Sequence, residues 1–133
     1  MRYISGGFNM KYGEINILYE ALNRLRDVTG FKVAWAVAKN IKILETEARF
    51  FNEQRAKLLQ KYGTEEDGRV SIKTDDEKFP EFLKEFTELS DMEADVELYK
   101  ISGDINEKDF HCDTATANDF ILFMDYLIKE EEK

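Results

Sequence analysis

The chain has 133 residues, of which 43% are hydrophobic and 13% aromatic, and its 19 basic and 28 acidic side chains give a net charge of −9. A chain of this length can bury about two-thirds of the surface that its unfolded form exposes, so we expect one domain, residues 1–133, without disulfides or a structural metal. The aromatic content excludes a disordered acidic chain. A single cysteine, Cys112, and a single histidine, His111, exclude a disulfide framework and a multi-histidine metal centre.

The sequence contains no predicted targeting or membrane segment. Residues 1–9 carry one positive charge but lack the apolar core of a signal peptide. The longest uninterrupted apolar run, Val33 to Ala38, has six residues, whereas a membrane-spanning helix needs about 20. We therefore expect a soluble cytoplasmic protein that does not bind a membrane.

Two amphipathic helices are predicted in the first half of the chain. The first runs from Gly13 to about Gly30, because its apolar residues recur at intervals of three and four: Ile15, Leu18, Tyr19, Leu22 and Leu25. The second runs from Lys32 to Tyr62, a stretch without glycine or proline. Its main apolar stripe comprises Val33, Val37, Ile41, Leu44, Ala48, Phe51, Leu58 and Tyr62. A second apolar set, Phe31, Trp35, Ala38 and Phe50, predicts that the start of this helix packs against neighbours on two sides.

Residues 64–96 are predicted to form a turn, a short strand and a third helix. The turn lies at Glu65 to Gly68, and the strand at Val70 to Ile72 alternates apolar and polar residues. Pro80 suits the first turn of the helix, whose apolar stripe is Phe79, Phe82, Leu83, Phe86, Leu89, Met92 and Val96. A short connection between two long helices favours an antiparallel hairpin.

The remaining residues predict one more strand and one more helix. The strand covers Val96 to Ile101, and Thr116 to Asp119 forms a capping box, with Asp in place of Glu, at the start of the last helix. Residues 129–133 are a charged tail that we expect to fray. The predicted fold is therefore α+β and mainly α: a long antiparallel helical hairpin, flanking helices, and a small two- or three-stranded β-sheet.

Three segments carry a family resemblance: Gly13 to Leu22 (GEINILYEAL), Ala36 to Asn40 (AVAKN) and Val96 to Ile101 (VELYKI). In this order they resemble a group of uncharacterised small proteins encoded by tailed bacteriophages of Gram-positive bacteria. The resemblance implies a phage origin but no activity. Together with the lack of a targeting segment, a phage origin makes the host cytoplasm the expected location. The resemblance also implies that residues 1–9 are an extension and leaves open whether Met1 or Met10 is the start.

The polar residues that could carry chemistry are more typical of structural roles. Asn40 interrupts an apolar helix face and is more typical of a buried amide that fixes register than of a ligand contact. Cys112 could pair with His111 as a nucleophile, but adjacent side chains seldom face one another, so a loop before the last helix is favoured. We predict no catalytic residues, no metal and no cofactor.

Charge is distributed unevenly along the chain. Residues 1–63 carry a net charge of +5, residues 64–97 a net charge of −9, and residues 98–133 a net charge of −5. The basic residues of the long helix are expected to spread around it and to pair with the acidic helix, which disfavours direct nucleic-acid binding. The sequence instead predicts an acidic partner-binding face, with the carboxylates of the third helix pointing outward: Glu81, Glu85, Glu88, Asp91, Glu93, Asp95 and Glu97.

Three functions remain open. The favoured one is a non-enzymatic interaction module whose partner is a host or phage protein, such as an acidic inhibitor of a host nucleic-acid enzyme, since carboxylates can occupy a basic groove meant for phosphates. The second is a virion or tail assembly component or chaperone. The third is an enzyme that uses carboxylates. The oligomeric state is undetermined by the sequence, and a dimer is one option.

Overall fold

The computed structural model describes residues 8–105 and 111–129. Within these ranges the chain order is β1 (Phe8–Lys11), α1 (Tyr12–Arg24), α2 (Phe31–Tyr62), β2 (Thr64–Glu66), β3 (Arg69–Ser71), α3 (Phe79–Asp91), β4 (Glu93–Val96) and α4 (Ala117–Leu127). Residues 1–7 of the possible extension and residues 130–133 of the predicted tail lie outside the described residues. The mainly helical α+β fold predicted from the sequence is confirmed.

Helix α1 ends earlier than its apolar pattern predicts. Its last residue is Arg24, and the N–H of Leu25 donates to the carbonyls of Ala21 and Leu22, which closes the final turn. The chain then turns, and both Leu25 and Val28 are buried in the core. The helix therefore ends six residues before Gly30, the glycine expected to stop it, because Leu25 is buried from a turn and not from the helix.

The core lies between α1, the N-terminal part of α2, and α4. The fully buried side chains of α1 and α2 meet along their shared interface, and α4 closes the core from the other side. The members of this core with no more than 3% exposure include Ile15, Leu18, Leu22, Val33, Val37, Leu44, Ala48, Phe51, Phe123 and Leu127. Helix α2 is thus confirmed as the central element, and it begins one residue earlier than predicted.

Helices α2 and α3 form the predicted antiparallel hairpin. The rings of Tyr62 and Phe82 lie 6.4 Å apart, and those of Phe51 and Phe86 lie 5.9 Å apart, so later residues of α3 contact earlier residues of α2. Helix α3 has 13 residues against 32 in α2, so it covers only the C-terminal half of its neighbour. Its one buried apolar residue is Leu89, and the hairpin seam is therefore less buried than the α1–α2 interface.

A tight β-hairpin joins α2 to α3. Strands β2 and β3 pair antiparallel, with Asp67 and Gly68 between them at φ values of 52° and 80°. Two successive residues with positive φ are the requirement of a type I′ turn, which matches the natural twist of paired strands. The predicted turn at these residues is confirmed, but Glu65 and Glu66, assigned to the turn, belong to a strand.

The second small sheet pairs the two most distant strands of the fold. Strands β1 and β4 run antiparallel, with Met10 opposite Ala94 and Lys11 opposite Glu93. The prediction placed residues 93–95 in the third helix, but the chain leaves α3 at Met92, whose carbonyl accepts a hydrogen bond from the N–H of Tyr12 at 2.8 Å. The sheet accordingly includes residues 8 and 9 of the segment that the resemblance treats as an extension.

Helix α4 begins as its capping motif predicts. Thr116 and Asp119 form a reciprocal capping box in which each side chain accepts from the backbone N–H of the other residue. Its C-terminal end meets the extended chain after β4, where Ile101 forms a parallel bridge with Ile128. Across residues 8–105 and 111–129, no helix is long and apolar enough to cross a membrane.

Candidate interaction surface

The seven carboxylates predicted to form a binding face are divided between two elements. Helix α3 carries four of them, at positions 81, 85, 88 and 91, whereas β4 and the residue after it carry the other three, at positions 93, 95 and 97. The helix predicted to continue to Val96 ends at Asp91, so the face is not one helical surface. Its two parts have different surroundings.

Of the four carboxylates on α3, that of Glu85 points toward α2. Glu85 is half-buried, accepts a hydrogen bond from the hydroxyl of Tyr62, and lies 3.2 Å from Nζ of Lys61. The Tyr62 hydrogen bond, with the nearby Lys61 ammonium, lowers the pKa of the Glu85 carboxyl below its usual value. The predicted outward orientation holds for Glu81 and Glu88, which are exposed, but not for Glu85.

A groove runs between α2 and α3 beside this ion pair. It has a volume of about 330 Å³ and is lined by Gln54, Lys57, Leu58, Lys61, Glu85, Glu88, Leu89 and Met92. The basic and acidic helices do therefore face each other here, as the charge pattern predicts. Consequently, Glu85 and Glu88 lie beside cations of the same chain and are less available to a basic partner than the sequence suggests.

The three carboxylates on β4 and on the residue directly after it form a regular exposed row. Ala94, Val96 and Leu98 point toward the core, while the intervening residues Glu93, Asp95 and Glu97 are exposed; we call these three the acidic row. Because side chains alternate along an extended chain that rises about 3.3 Å per residue, successive residues of the row are roughly 6.6 Å apart along the backbone. The prediction missed this row as such because it assigned Glu93 and Asp95 to a helix.

Strand β1 adds two polar side chains to the same face of the sheet. Asn9 is paired with Asp95 and Lys11 with Glu93, and directly opposed residues share a face. Nζ of Lys11 lies 3.6 Å from the carboxylate of Asp91, at the end of α3. Both side chains of this pair are more than half exposed, so the interaction contributes little to stability and leaves the surface predominantly acidic.

Asn40 anchors the chain that follows the acidic row. Its side chain is fully buried, and its Nδ2 donates to the carbonyls of Ala36 and Tyr99, both at 2.7 Å. Its Oδ1 accepts from the N–H of Tyr99 at 2.8 Å. The structural role predicted for this residue is confirmed, although it fixes an extended segment rather than the register of two helices.

A second exposed surface lies at the start of α2. The side chain of Phe31 is 83% exposed and that of Trp35 is 48% exposed, and their rings stack with centroids 6.1 Å apart. Nζ of Lys39 lies 5.6 Å from the ring centre of Trp35 and 5.2 Å from that of Tyr99. The expectation that Phe31 and Trp35 pack against a second neighbouring element is wrong, because both side chains are exposed, on the side of α2 opposite its buried stripe.

The residues considered as a nucleophilic site do not form one. Nε2 of His111 lies 3.2 Å from the carboxylate of Asp113, on the exposed surface, whereas Sγ of Cys112 lies 3.4 Å from the carbonyl oxygen of Arg24. The histidine therefore pairs with the aspartate and not with the thiol. Within the described part of the chain, no group of three or more His, Cys, Asp or Glu side chains could hold a metal ion.

Comparisons of the chain with protein-family models, with curated proteins and with solved structures find no match. The surfaces of the protein are therefore what indicates its function. The acidic row and the aromatic surface of α2 are two such surfaces with a distinctive composition.

Proposed function

We propose that this protein is a non-enzymatic interaction module that binds a basic protein surface through the acidic row. The observation that carries the proposal is the regular exposure of three carboxylates, Glu93, Asp95 and Glu97, on a fixed backbone. A partner with Lys and Arg side chains in a groove or cleft provides the complementary potential, which speeds association and selects the partner.

The geometry of the row favours a partner that ordinarily binds phosphates. Successive residues of the row are roughly 6.6 Å apart along the backbone, and two neighbouring elements hold that backbone. Pairing with β1 fixes the residues of β4, and the double hydrogen bond of Asn40 to Tyr99 fixes the chain directly after Glu97. A rigid line of negative charge loses little conformational entropy on binding and can occupy a groove built for a nucleic-acid backbone.

The resemblance to phage proteins supplies the biological part of the proposal. A small acidic protein made during infection would act in the host cytoplasm, where the host enzymes that bind nucleic acid offer basic grooves. In this proposal the partner is such an enzyme, and occupation of its groove inhibits it. Alternatively, a role in virion or tail assembly predicts that the protein is found in mature particles or assembly intermediates, which mass spectrometry of purified particles tests directly.

The experiment compares two charge-neutralised variants in affinity capture from a Gram-positive host lysate. The row variant carries Glu93→Gln, Asp95→Asn and Glu97→Gln. The control variant carries Glu65→Gln, Glu66→Gln and Glu77→Gln, which change the net charge equally at exposed positions outside the row. The wild-type chain and the control are expected to retain a basic nucleic-acid-binding protein at low salt and to release it at high salt or when short DNA is added.

The row variant is expected to lose this capture. The proposal is contradicted if no basic protein is retained by the wild-type chain at low salt. It is equally contradicted if the row variant and the control retain the same protein to the same extent, because the binding would then depend on net charge alone.

A further inference from the structure

We propose that the chain forms a two-fold symmetric dimer in which the aromatic–basic patch of each copy covers the acidic row of the other. The aromatic–basic patch is defined by Phe31, Trp35, Lys39 and Lys42 of α2. The occupant of the patch is therefore a second copy of this chain. Three features support this dimer: the exposure of the aromatic rings, the charge around them, and the position of the acidic row beside them.

The first feature is the exposure of two large aromatic side chains that are in contact with each other. Phe31 is 83% exposed and stacks on Trp35, which is 48% exposed. Single exposed apolar residues are common on protein surfaces, but adjacent exposed aromatic rings are typical of sites that another molecule covers. Aromatic residues also supply much of the binding energy in protein interfaces, because they bury a large area with few rotatable bonds.

The second feature is the positive charge on the same face of α2. At about 100° per residue, positions 31, 35, 39 and 42 fall within an arc of about 80°, so the two lysines flank the two rings. Lys39 and Lys42 are both exposed. Two such patches facing each other would bring ammonium groups together, whereas an acidic counter-surface would pair with them. The patch is therefore expected to bind carboxylates.

The third feature is the position of the acidic row next to this patch. One surface cavity of about 220 Å³ is lined by Lys39, Ile43, Glu97, Leu98 and Tyr99. Lys39 is the member of the patch nearest the row, and Glu97 is the last carboxylate of the row. The patch and the row therefore form one continuous surface that is basic and aromatic at one end and acidic at the other.

A surface of this kind is complementary to itself. A two-fold axis near Lys39 and Glu97 places the patch of one copy on the row of the other, and the reverse contact follows by symmetry. The evidence for the dimer is independent of the proposed function. The two are nevertheless linked, because a dimer would cover the acidic row, so that a basic partner and the second copy would compete for it.

The test is a charge-swap experiment on the full chain, measured by analytical ultracentrifugation over a concentration series. The patch-swap variant carries Lys39→Glu and Lys42→Glu, and the row-swap variant carries Asp95→Lys and Glu97→Lys. Each variant alone places like charges at both contacts of the dimer. An equimolar mixture restores opposite charges at both contacts, because the acidic patch of one variant meets the basic row of the other.

We expect a wild-type dimer that weakens as salt rises, at least a tenfold weaker self-association for each variant alone, and recovery of a heterodimer on mixing. Recovery also shows that both variants are folded. The control variants, Arg69→Glu with Lys73→Glu and Glu65→Lys with Glu66→Lys, make the same charge changes on the β2–β3 hairpin and should dimerise as the wild type does.

Three results would overturn the proposal: a wild-type chain that remains monomeric up to about 1 mM, variants that dimerise as well as the wild type, or a mixture that stays monomeric. The experiment contains no partner protein. Its outcome is therefore separate from that of the capture experiment, and either proposal can fail without the other.

Discussion

Arg24 of α1 and Asp119 of α4 form a two-pronged ion pair, with Nε and one terminal nitrogen of the guanidinium each 2.9 Å from a carboxylate oxygen. The Asp119 side chain is 1% exposed, whereas that of Arg24 is 47% exposed. The same carboxylate accepts a hydrogen bond from the N–H of Thr116 at 3.0 Å. One side chain therefore completes the cap of α4 and joins this helix to α1.

This ion pair predicts a pH-dependent stability. The guanidinium of Arg24, by hydrogen bonding, holds the pKa of Asp119 below its usual value. A carboxyl whose pKa is lower in the folded state stabilises the fold above its unfolded pKa, near 4, and this contribution is lost as the pH falls through its folded pKa. Replacing Asp119→Asn should lower the free energy of unfolding at pH 7 by about 1.5–3 kcal/mol.

Urea denaturation of wild type and Asp119→Asn between pH 7 and pH 2.5 measures this effect. The difference between the two curves should shrink as the pH falls below about 4. Glu85, whose pKa is also lowered, is present in both proteins, so its contribution cancels in the difference. The matched control is Asp125→Asn, an exposed aspartate on the same helix, and a pH-independent difference for Asp119→Asn would contradict the assignment.

Replacing Asn40→Ala should destabilise the protein by about 2–4 kcal/mol. The substitution leaves the backbone N–H and carbonyl of Tyr99 without their partners, and each unsatisfied buried group costs roughly 1–3 kcal/mol. The control is Asn23→Ala, because the Nδ2 of Asn23 donates to the carbonyl of Tyr19 within its own helix. Thermal unfolding of the two variants should show the larger decrease for Asn40→Ala, and equal decreases would argue against the anchoring role.

Two glycines are expected to resist substitution for different reasons. A Cβ on Gly63 would lie 2.6 Å from the carbonyl oxygen of Leu59 and 2.8 Å from that of Ser71, so Gly63→Ala should displace the β-hairpin from the end of α2. The expected cost is about 1–3 kcal/mol. Gly68 has open space around it but a φ of 80°, so Gly68→Ala should cost about 1–2 kcal/mol.

Asparagine distinguishes these two reasons. Because Asn tolerates positive φ, Gly68→Asn should be milder than Gly68→Ala, whereas Gly63→Asn should be at least as harmful as Gly63→Ala. Chemical denaturation of the four variants provides the comparison. A reversal of either order would show that the proposed cause is wrong at that position.

Phe86→Ala should destabilise the hairpin by about 2–3 kcal/mol, less than the 3–5 kcal/mol typical of a fully buried phenylalanine. The Phe86 ring stacks on Phe82 at 5.8 Å and contacts Phe51 at 5.9 Å, but its side chain is only half-buried. Leu83 lies on the same helix and is 47% exposed, so Leu83→Ala is a control expected to stay within about 0.5 kcal/mol of wild type. Similar melting temperatures for the two variants would contradict this packing.

The sequence predicts elements well where the local pattern determines the structure. The absence of glycine and proline predicts α2, the segment Glu65 to Gly68 predicts a turn, and Thr116 with Asp119 predicts the start of α4. In each case the residues concerned are close in the chain. The physical cause is therefore visible in a short window of sequence.

The prediction fails where the structure depends on residues far apart in the chain. Glu93 and Asp95 continue a helical charge pattern, but pairing with β1 makes them part of a strand. Phe31 and Trp35 belong to the second apolar set of α2, but the fold leaves both side chains exposed. The acidic row and the aromatic–basic patch could not be found from local spacing, because tertiary packing determines both.

The pairing of β1 with β4 also bears on the order in which the chain folds. Met10 and Ala94 are paired although 84 positions separate them in the sequence, whereas α1 and α2 are neighbours in both sequence and space. Closing so long a loop is costly before other contacts exist, so the α1–α2 pair should form early and the sheet late. The acidic row is thus completed only in the fully folded chain, and a truncated or nascent chain would not display it.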